Sequence, residues 1–220
     1  MRIFVTGADR GVGKSLVEAW TARGHEVFAG VLDPSLPGIP LDVSDVESVR
    51  RAVQAVTGPL DILVNNAGIL GDIETAAWDL LDFDEMLRVY NVNVLGTLRV
   101  TQAFLPRLLA GEGRLVVNVS SEAGSIGACT RDRWYAYAMA KAALNQQSAL
   151  IHNLLRPRGG RVLVVHPGHV RTFMRGHEDT TGALTPAEAA ERLIANVERF
   201  GSVSGPHPEF RGPDGEALPW

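Results

Sequence analysis

Cysteine is almost missing from this chain. The single one in 220 residues, Cys129, can neither close an internal disulfide nor build a cysteine-rich zinc site, so a reducing cytoplasm is the expected compartment. No apolar run approaches the roughly 20 residues that span a bilayer. Met1 leads straight into "RIFVTG" without a charged n-region, an apolar h-region or a cleavage site, which argues against a secretory leader. A dominant charge is lacking too: the net charge is −4, both signs are scattered, and the absence of a basic block argues against a nucleic-acid partner and leaves small molecules. Internal repeats, linkers and low-complexity tracts are absent, and the length suits one α/β domain over residues 1–220. Lysine is scarce, with only Lys14 and Lys141 among 21 basic residues.

That scarcity makes one spacing informative. In "RWYAYAMAKAAL" Tyr137 stands four residues before Lys141, and positions i and i+4 share a helix face. With three tyrosines and two lysines in the chain, chance places a pair this way in about 3 % of shuffled sequences. A free phenol titrates near about 10. An ammonium roughly 4 Å away contributes on the order of 4 kcal/mol toward phenolate at an effective dielectric near 20. The pair is therefore expected to be a proton donor with its tuner, the phenol pKa lowered; the alternative is two ordinary residues on a solvated helix. Tyr135, the neighbouring phenol, has Met139 at +4 and no cation to tune it.

Short β-branched runs alternate with amphipathic stretches: "IFVTG", "KSLVEAWTARG", "EVFAGV", "DILVNNAG", a helical region from about Glu74 to Ala110, "RLVVNVSS", the helix of Tyr137, and "RVLVVHPG". This βαβ rhythm with continuous apolar strands predicts a Rossmann-like, doubly wound parallel sheet covered on both faces, with ligands at the strands' carboxyl ends. Between "EVFAGV" and the weak strand candidate "IPLDV" only "LDPSLPG" intervenes, too short and too rich in proline and glycine for a crossover helix. A shortened connection is expected there. Thr185, Pro186 and Glu188 form a capping-box pattern that opens a late helix, and the tail "GPDGEALPW" reads as irregular.

"TGADRGVGKS" follows the first strand, and its glycines let backbone amides approach a phosphate at a helix start. Read from Ala8 it is A-x4-G-K-S, close to a P-loop whose lysine would be Lys14. A P-loop phosphotransferase also needs a strand ending in a magnesium-binding aspartate, and only "IPLD" ends so, at Asp42. Read from Thr6 it is T-G-x3-G-x-G, a dinucleotide-binding variant; a tight turn with no ligand is the plain alternative.

Further motifs follow in order: Asn65 to Gly68 as NNAG, Asn93 in "VNVLGT", Ser121 ahead of Tyr137-x-x-x-Lys141, and "HPGHVRT" ending in Thr172. Together with Thr6 to Gly13 they make the chain resemble the short-chain dehydrogenase/reductase family over almost its whole length. Within it, the chain looks most like the group named after the bacterial C-factor, which includes carbonyl reductases. The resemblance implies an NAD(P)H-dependent oxidoreductase acting between a carbonyl and an alcohol, with Asn93, Ser121, Tyr137 and Lys141 as catalytic residues. Tyr137 would be the general acid, Ser121 would hold the substrate oxygen, Lys141 would also bind the nicotinamide ribose, and Asn93 would place a water linking Lys141 to solvent. From sequence alone, Asn93 reads equally as a capping or helix-kink residue. Ser120 is the rival of Ser121, and the Ser121-to-Tyr137 gap is longer than usual for the family.

For the cofactor, the resemblance implies Gly7, Arg10, Gly11, Val12 and Gly13 at the phosphates, Asp42 and Val43 at the adenine, and Asn66, Ala67 and Gly68 at its ribose. Tyr137, Lys141, Pro167, Gly168, Val170 and Thr172 complete the set. The position that often carries a ribose-binding acid is Val31, followed by Leu32. Arg10 can clamp a 2′-phosphate while Asp33 would repel one, so the preference leans to NADP over NAD. Glu122, Trp134, His169 and Met174 are candidate rim residues, with Trp134 and Met174 equally readable as core. His166 and His169 lack a third ligand at sensible spacing, so no metal is expected. Phe173 to Ala183 reads as a lid. A homodimer or homotetramer through the helices around Glu74 to Ala110 and Tyr137 to Leu155 is a further expectation of the resemblance. The rival function is a cofactor-binding regulator with little turnover.

Overall fold

Every strand-forming run enters one sheet in the computed structural model, which describes residues 1–174, 176, 177 and 179–220. The chain runs β1 (Arg2–Thr6), α1 (Gly11–Ala22), β2 (Glu26–Val31), β3 (Ile39–Pro40), α2 (Val46–Ala55), β4 (Ile62–Asn65), α3 (Phe83–Tyr90), α4 (Thr97–Ala110), β5 (Leu115–Val119), α5 (Tyr135–Leu155), β6 (Arg161–Val165), α6 (Pro186–Phe200) and β7 (Glu209–Arg211). The seven strands lie in the order β3-β2-β1-β4-β5-β6-β7, all parallel. The order reverses direction between β1 and β4, which is where a doubly wound Rossmann-like sheet leaves a crevice at its carboxyl edge.

Side-chain alternation along β1 divides the core. Ile3 and Val5 face Leu16 and Trp20 of α1 and Leu193 and Ile194 of α6, while Phe4 faces Phe104 and Leu108 of α4 and Ile151 of α5. Phe4 and Phe104 meet with ring centroids 4.4 Å apart. Each such side chain contributes about 1.5–3 kcal/mol by leaving water, so the strands need to be apolar on both faces. No helix among the described residues is long and apolar enough to cross a membrane.

The shortened β2–β3 connection is present: residues 32–38 hold no helix, and β3 is a two-residue edge strand that tolerates Pro40. Thr185 caps α6 through the expected capping box. Three features differ from the sequence reading. Residues 71–82 are not helical; Asp72 Oδ1 accepts from the backbone of Glu74 at 2.8 Å and closes a turn, and the helix starts only where Asp82 caps Glu85. Helix α2, capped by Asp45, and strand β7 were not anticipated, because both are short and one of them is an edge. The tail after β7 is irregular apart from a bridge between Arg211 and Ala217, and it brings Trp220 against Phe210.

Candidate active site

The carboxyl ends of β1 and β4 are joined by side chains. Thr6 Oγ1 accepts from the backbone N–H of Asn66 and Ala67, each at 3.0 Å, and Asn66 Nδ2 donates to the carbonyls of Thr6 and Gly7 at 2.9 and 3.0 Å. Packing this tight excludes side chains at Gly7 and Gly13. A Cβ on Gly13 would come within 2.2 Å of Gly7 O and 2.5 Å of Asn66 Nδ2, and Gly7 sits at φ +65 against the Ala67 backbone. Val12 is buried behind the loop. Helix α1 begins here with Arg10 at its N-cap and no side-chain cap, so its first turn presents backbone N–H groups at a positive helix end. Thr172 reaches the same place, its methyl 3.5 Å from where a Gly11 Cβ would stand. Lys14 projects from the surface toward Glu18 at 3.7 Å, away from any P-loop role.

Asp42 accepts from the backbone and hydroxyl of Ser44, at 2.8 and 2.7 Å, and Val43 packs against Gly96. Beyond β2, Asp9 Oδ1 accepts from the backbone of Leu32 and Asp33, at 2.7 and 2.8 Å. Asp33 itself is engaged by Ser35, while Arg10 is exposed.

Tyr137, Lys141, Asn145 and Ser148 line one face of α5, at helical spacing. Lys141, only 4 % exposed, donates to the carbonyl of Val119 at 2.8 Å, and its Nζ lies 5.5 Å from the Tyr137 ring centroid. Ser121 Oγ accepts from Ala123 N at 3.1 Å, and Ser121 is near enough to the Tyr137 phenol to act on its proton affinity. Ser120 is turned elsewhere: its hydroxyl donates to Asn145 Oδ1 at 2.7 Å. Asn145 Nδ2 donates to Gly124 O at 3.1 Å, so one asparagine ties both sides of Ser121. Tyr135 is half-buried and donates to Asp132 O.

The lowered phenol pKa expected from the i,i+4 pair is not what this geometry produces. Burial pushes Tyr137 up to about 12, Ser121 opposes that shift, and the Glu122 charge adds to it. The ammonium stands 5.5 Å from the ring centroid and is itself pushed down to about 8 by burial. Desolvation is the largest cause on both partners.

Asn93 lies in a π-helical segment, Asn91–Gly96, between α3 and α4. Its side chain clamps the residue after NNAG, Oδ1 accepting from Ile69 N at 2.9 Å and Nδ2 donating to Ile69 O at 2.8 Å, so the kink-residue reading is physically present. Gly68 lies beside it and beside Lys141 Nζ. Pro167 and Gly168 (φ +86) turn the chain at the end of β6, and Val170 bridges to Leu184. His169 pairs with Asp179 at 2.9 Å. The proposed lid includes Arg175 and Glu178, which lie outside the described residues. Trp134 meets Tyr137 edge-on, whereas Met174 is 43 % exposed and is not core.

Sequence reading missed a buried polar ladder beneath the site. Asn65 Nδ2 donates to Asn118 Oδ1 and Asn118 Nδ2 donates to Ser148 Oγ, each at 2.8 Å, linking β4, β5 and α5. The signal was there in the lone polar residue of "LVVNV" and in Asn145 and Ser148 at helical spacing from Tyr137.

The family profile of the short chain dehydrogenases matches residues 1–182. The chain is 39 % identical over 173 residues to the C-signal protein of Myxococcus xanthus, covering 77 % of this chain and 98 % of that one. It is 33 % identical over 233 aligned positions to 1-hydroxy-2-glutathionyl-2-methyl-3-butene dehydrogenase of Rhodococcus sp. (strain AD45), covering 99 % of each. Among solved structures, the NADPH-bound carbonyl reductase from chicken fatty liver matches with a TM-score of 0.83 at 26 % identity, over 100 % of this chain and 94 % of that one. The fold, the ordered motifs and these relatives agree: the chain belongs to the short chain dehydrogenase family and is an oxidoreductase.

Proposed function

We propose that residues 1–220 act as one dinucleotide-binding domain that interconverts a ketone or aldehyde and its alcohol with NAD(P)H. The observation that carries this reading is the buried Tyr137 and Lys141 on one face of α5, with Nζ 5.5 Å from the ring centroid, held to the end of β5 through Val119 O just before Ser121 and beside Gly68 of NNAG. The cradle fits a dinucleotide: side chains are excluded at Gly7 and Gly13, and the α1 amides are presented to a phosphate. Gly7, Arg10, Gly11, Val12 and Gly13 would hold the phosphates, Asp42 and Val43 the adenine, and Asn66, Ala67 and Gly68 its ribose. Tyr137, Lys141, Pro167, Gly168, Val170 and Thr172 would hold the nicotinamide end. A nicotinamide bound there supplies or accepts the hydride.

The chain's own groups handle the oxygen. Because Ser121 Oγ already accepts from Ala123 N, its proton is free to point at a substrate oxygen that gains charge. Tyr137, kept protonated by burial, donates a proton to that oxygen as the alcohol forms. Lys141 places a positive charge under the same site, and Asn93, by holding Ile69, fixes the NNAG segment against it. The water relay through Asn93 is part of this proposal.

The preference proposed is for NADP. Arg10 is exposed at the start of α1, and the acid that would oppose a 2′-phosphate, Asp33, is occupied by Ser35. We also place the protein in the cytoplasm as a homodimer or homotetramer, supported by the lone Cys129 and by apolar residues left exposed on α3 and α5, among them Phe83, Leu87, Met139 and Leu150.

A carbonyl panel followed at the NAD(P)H absorbance band tests the reading, with Tyr137→Phe as control. The variant is expected to bind cofactor and turn over at least about a hundredfold more slowly. Quenching of NAD(P)H fluorescence with no turnover on any carbonyl would instead favour a cofactor-binding regulator.

A further inference from the structure

Glu122 follows Ser121 directly, at the start of the 3-10 turn Glu122–Gly124. Its Oε1 accepts from Arg131 Nη2 at 2.8 Å. The Arg131 guanidinium lies 5.1 Å from the Trp134 ring centroid, and that ring meets Tyr137 edge-on at 6.1 Å. The long connection between Ser121 and Tyr137 therefore folds back and holds one oxygen of the carboxylate in place. Its other oxygen, Oε2, is shut off from water and has no hydrogen-bond partner among the described residues, and the same is true of His166 Nδ1 at the end of β6.

Both atoms belong to the neighbourhood of the phenol. The pairing of Val119 with Val165, and the bond from Ser120 N to Val165 O at 2.8 Å, set the ends of β5 and β6 side by side, so His166 leaves the sheet beside the Ser120–Glu122 segment, and Glu122 reaches the Tyr137 side through Arg131 and Trp134. Burial, opposed by Glu122 and aided by Lys141, Arg131 and His169, holds His166 below its ordinary value and so neutral, able to accept or donate at Nδ1. A carboxylate oxygen removed from water without a donor is costly, because its desolvation is not offset. Arg131 fixes the carboxylate through its other oxygen, so a ligand donor reaches Oε2 once the side chains that cover it from water give way. A site built in this way discriminates strongly against an analogue that lacks the donor.

We infer that Glu122 Oε2, together with His166 Nδ1, is the substrate-anchoring site, and that the enzyme takes carbonyl compounds carrying a hydrogen-bond donor, a hydroxyl or a protonated amine, next to the carbonyl carbon. Glu122 is then the residue that sets specificity. The inference rests on the carbonyl-reductase reading for its orientation relative to Tyr137.

The test compares a 1-hydroxy-2-alkanone, its methyl ether and the 1-amino analogue in the wild type, Glu122→Gln and Glu122→Leu. It measures kcat and KM for reduction and, separately, binding of each compound to the NADP-loaded protein by calorimetry. The wild type is expected to favour the hydroxy ketone over its ether by at least about tenfold, the contribution of a charge-assisted hydrogen bond. In Glu122→Leu that ratio should fall to near one, through KM more than kcat. Glu122→Gln should keep most of the preference for the hydroxyl and lose that for the amine, which separates the two donors. Equal losses on the ketone and its ether would overturn the inference, since Glu122 would then act only by holding Arg131 and Trp134. So would a wild type that binds both alike, or neither. A binding preference without turnover on any carbonyl would sink the reductase reading and leave this one standing.

Discussion

Lys141 donates to Val119 O at 2.8 Å while its Nζ stands 5.5 Å from the centre of the Tyr137 ring, so the cation is held by the sheet and faces the phenol's ring. Two buried titratable groups thus share one face of α5, each displaced toward its neutral form.

That displacement has a stability consequence. Lys141 falls from an ordinary 10.5 to about 8 on folding, so below about pH 8 the folded state carries a buried charge that the unfolded chain keeps in water. Lys141→Met is expected to stabilise the protein by about 2 kcal/mol at pH 7, net of the lost hydrogen bond. The gain should shrink as pH rises from about 8 to about 10.5, where the wild type sheds the proton itself. Chemical denaturation at pH 7 and pH 10 measures this; a variant less stable at pH 7 refutes it.

Activity should respond to the same proton. Tyr137 keeps its proton until about pH 12, so a loss of carbonyl reduction at lower pH has another source. In the free enzyme kcat/KM is expected to decline as pH rises through about 8, following Lys141, and Lys141→Arg should move that break upward. A profile that is flat to pH 10 would rule out this assignment.

The two serines should separate cleanly. Ser120→Ala leaves Asn145 Oδ1 buried without its donor and is expected to cost about 1–3 kcal/mol of stability with a modest change in turnover. Ser121→Ala removes the acceptor of Ala123 N and should cost about 0.5–2 kcal/mol, but it is set apart by a loss of turnover of at least about a hundredfold. Asn145→Ala, which frees both Ser120 and Gly124, should lower both. Thermal melts alongside kcat distinguish the three.

At Gly13 the constraint is steric. A methyl group there meets Gly7 O at 2.2 Å and Asn66 Nδ2 at 2.5 Å, and neither that backbone nor an amide already bonded to Thr6 O and Gly7 O yields cheaply. Gly13→Ala is expected to cost about 3 kcal/mol or more and to abolish dinucleotide binding. Fluorescence titration with NADPH provides the readout, and tight binding by the variant would contradict the cradle.

Cofactor choice is read at Arg10. Arg10→Ala should weaken NADP binding about tenfold and leave NAD nearly as before, as expected for one lost phosphate contact. Calorimetry with both cofactors decides, and a wild-type preference for NAD defeats the proposal.

Local pattern was enough for the parallel sheet, its missing β2–β3 helix, the capping box at Thr185 and the family motifs, because each depends on neighbours a few residues apart. Turn chemistry at Asp72 and Asp82 competes with helix propensity, so the start of α3 was misplaced. What needed the folded chain was everything set by burial and by contacts between distant segments. Helical spacing brings Lys141 near Tyr137, but it cannot tell what else holds the ammonium; the carbonyl of Val119, 22 residues away on a strand, does so. Nor can it show that two adjacent serines point to different partners, or that Glu122 keeps one oxygen out of water. Desolvation belongs to the whole enclosure around a group, and only the packed sheet and helices create that enclosure.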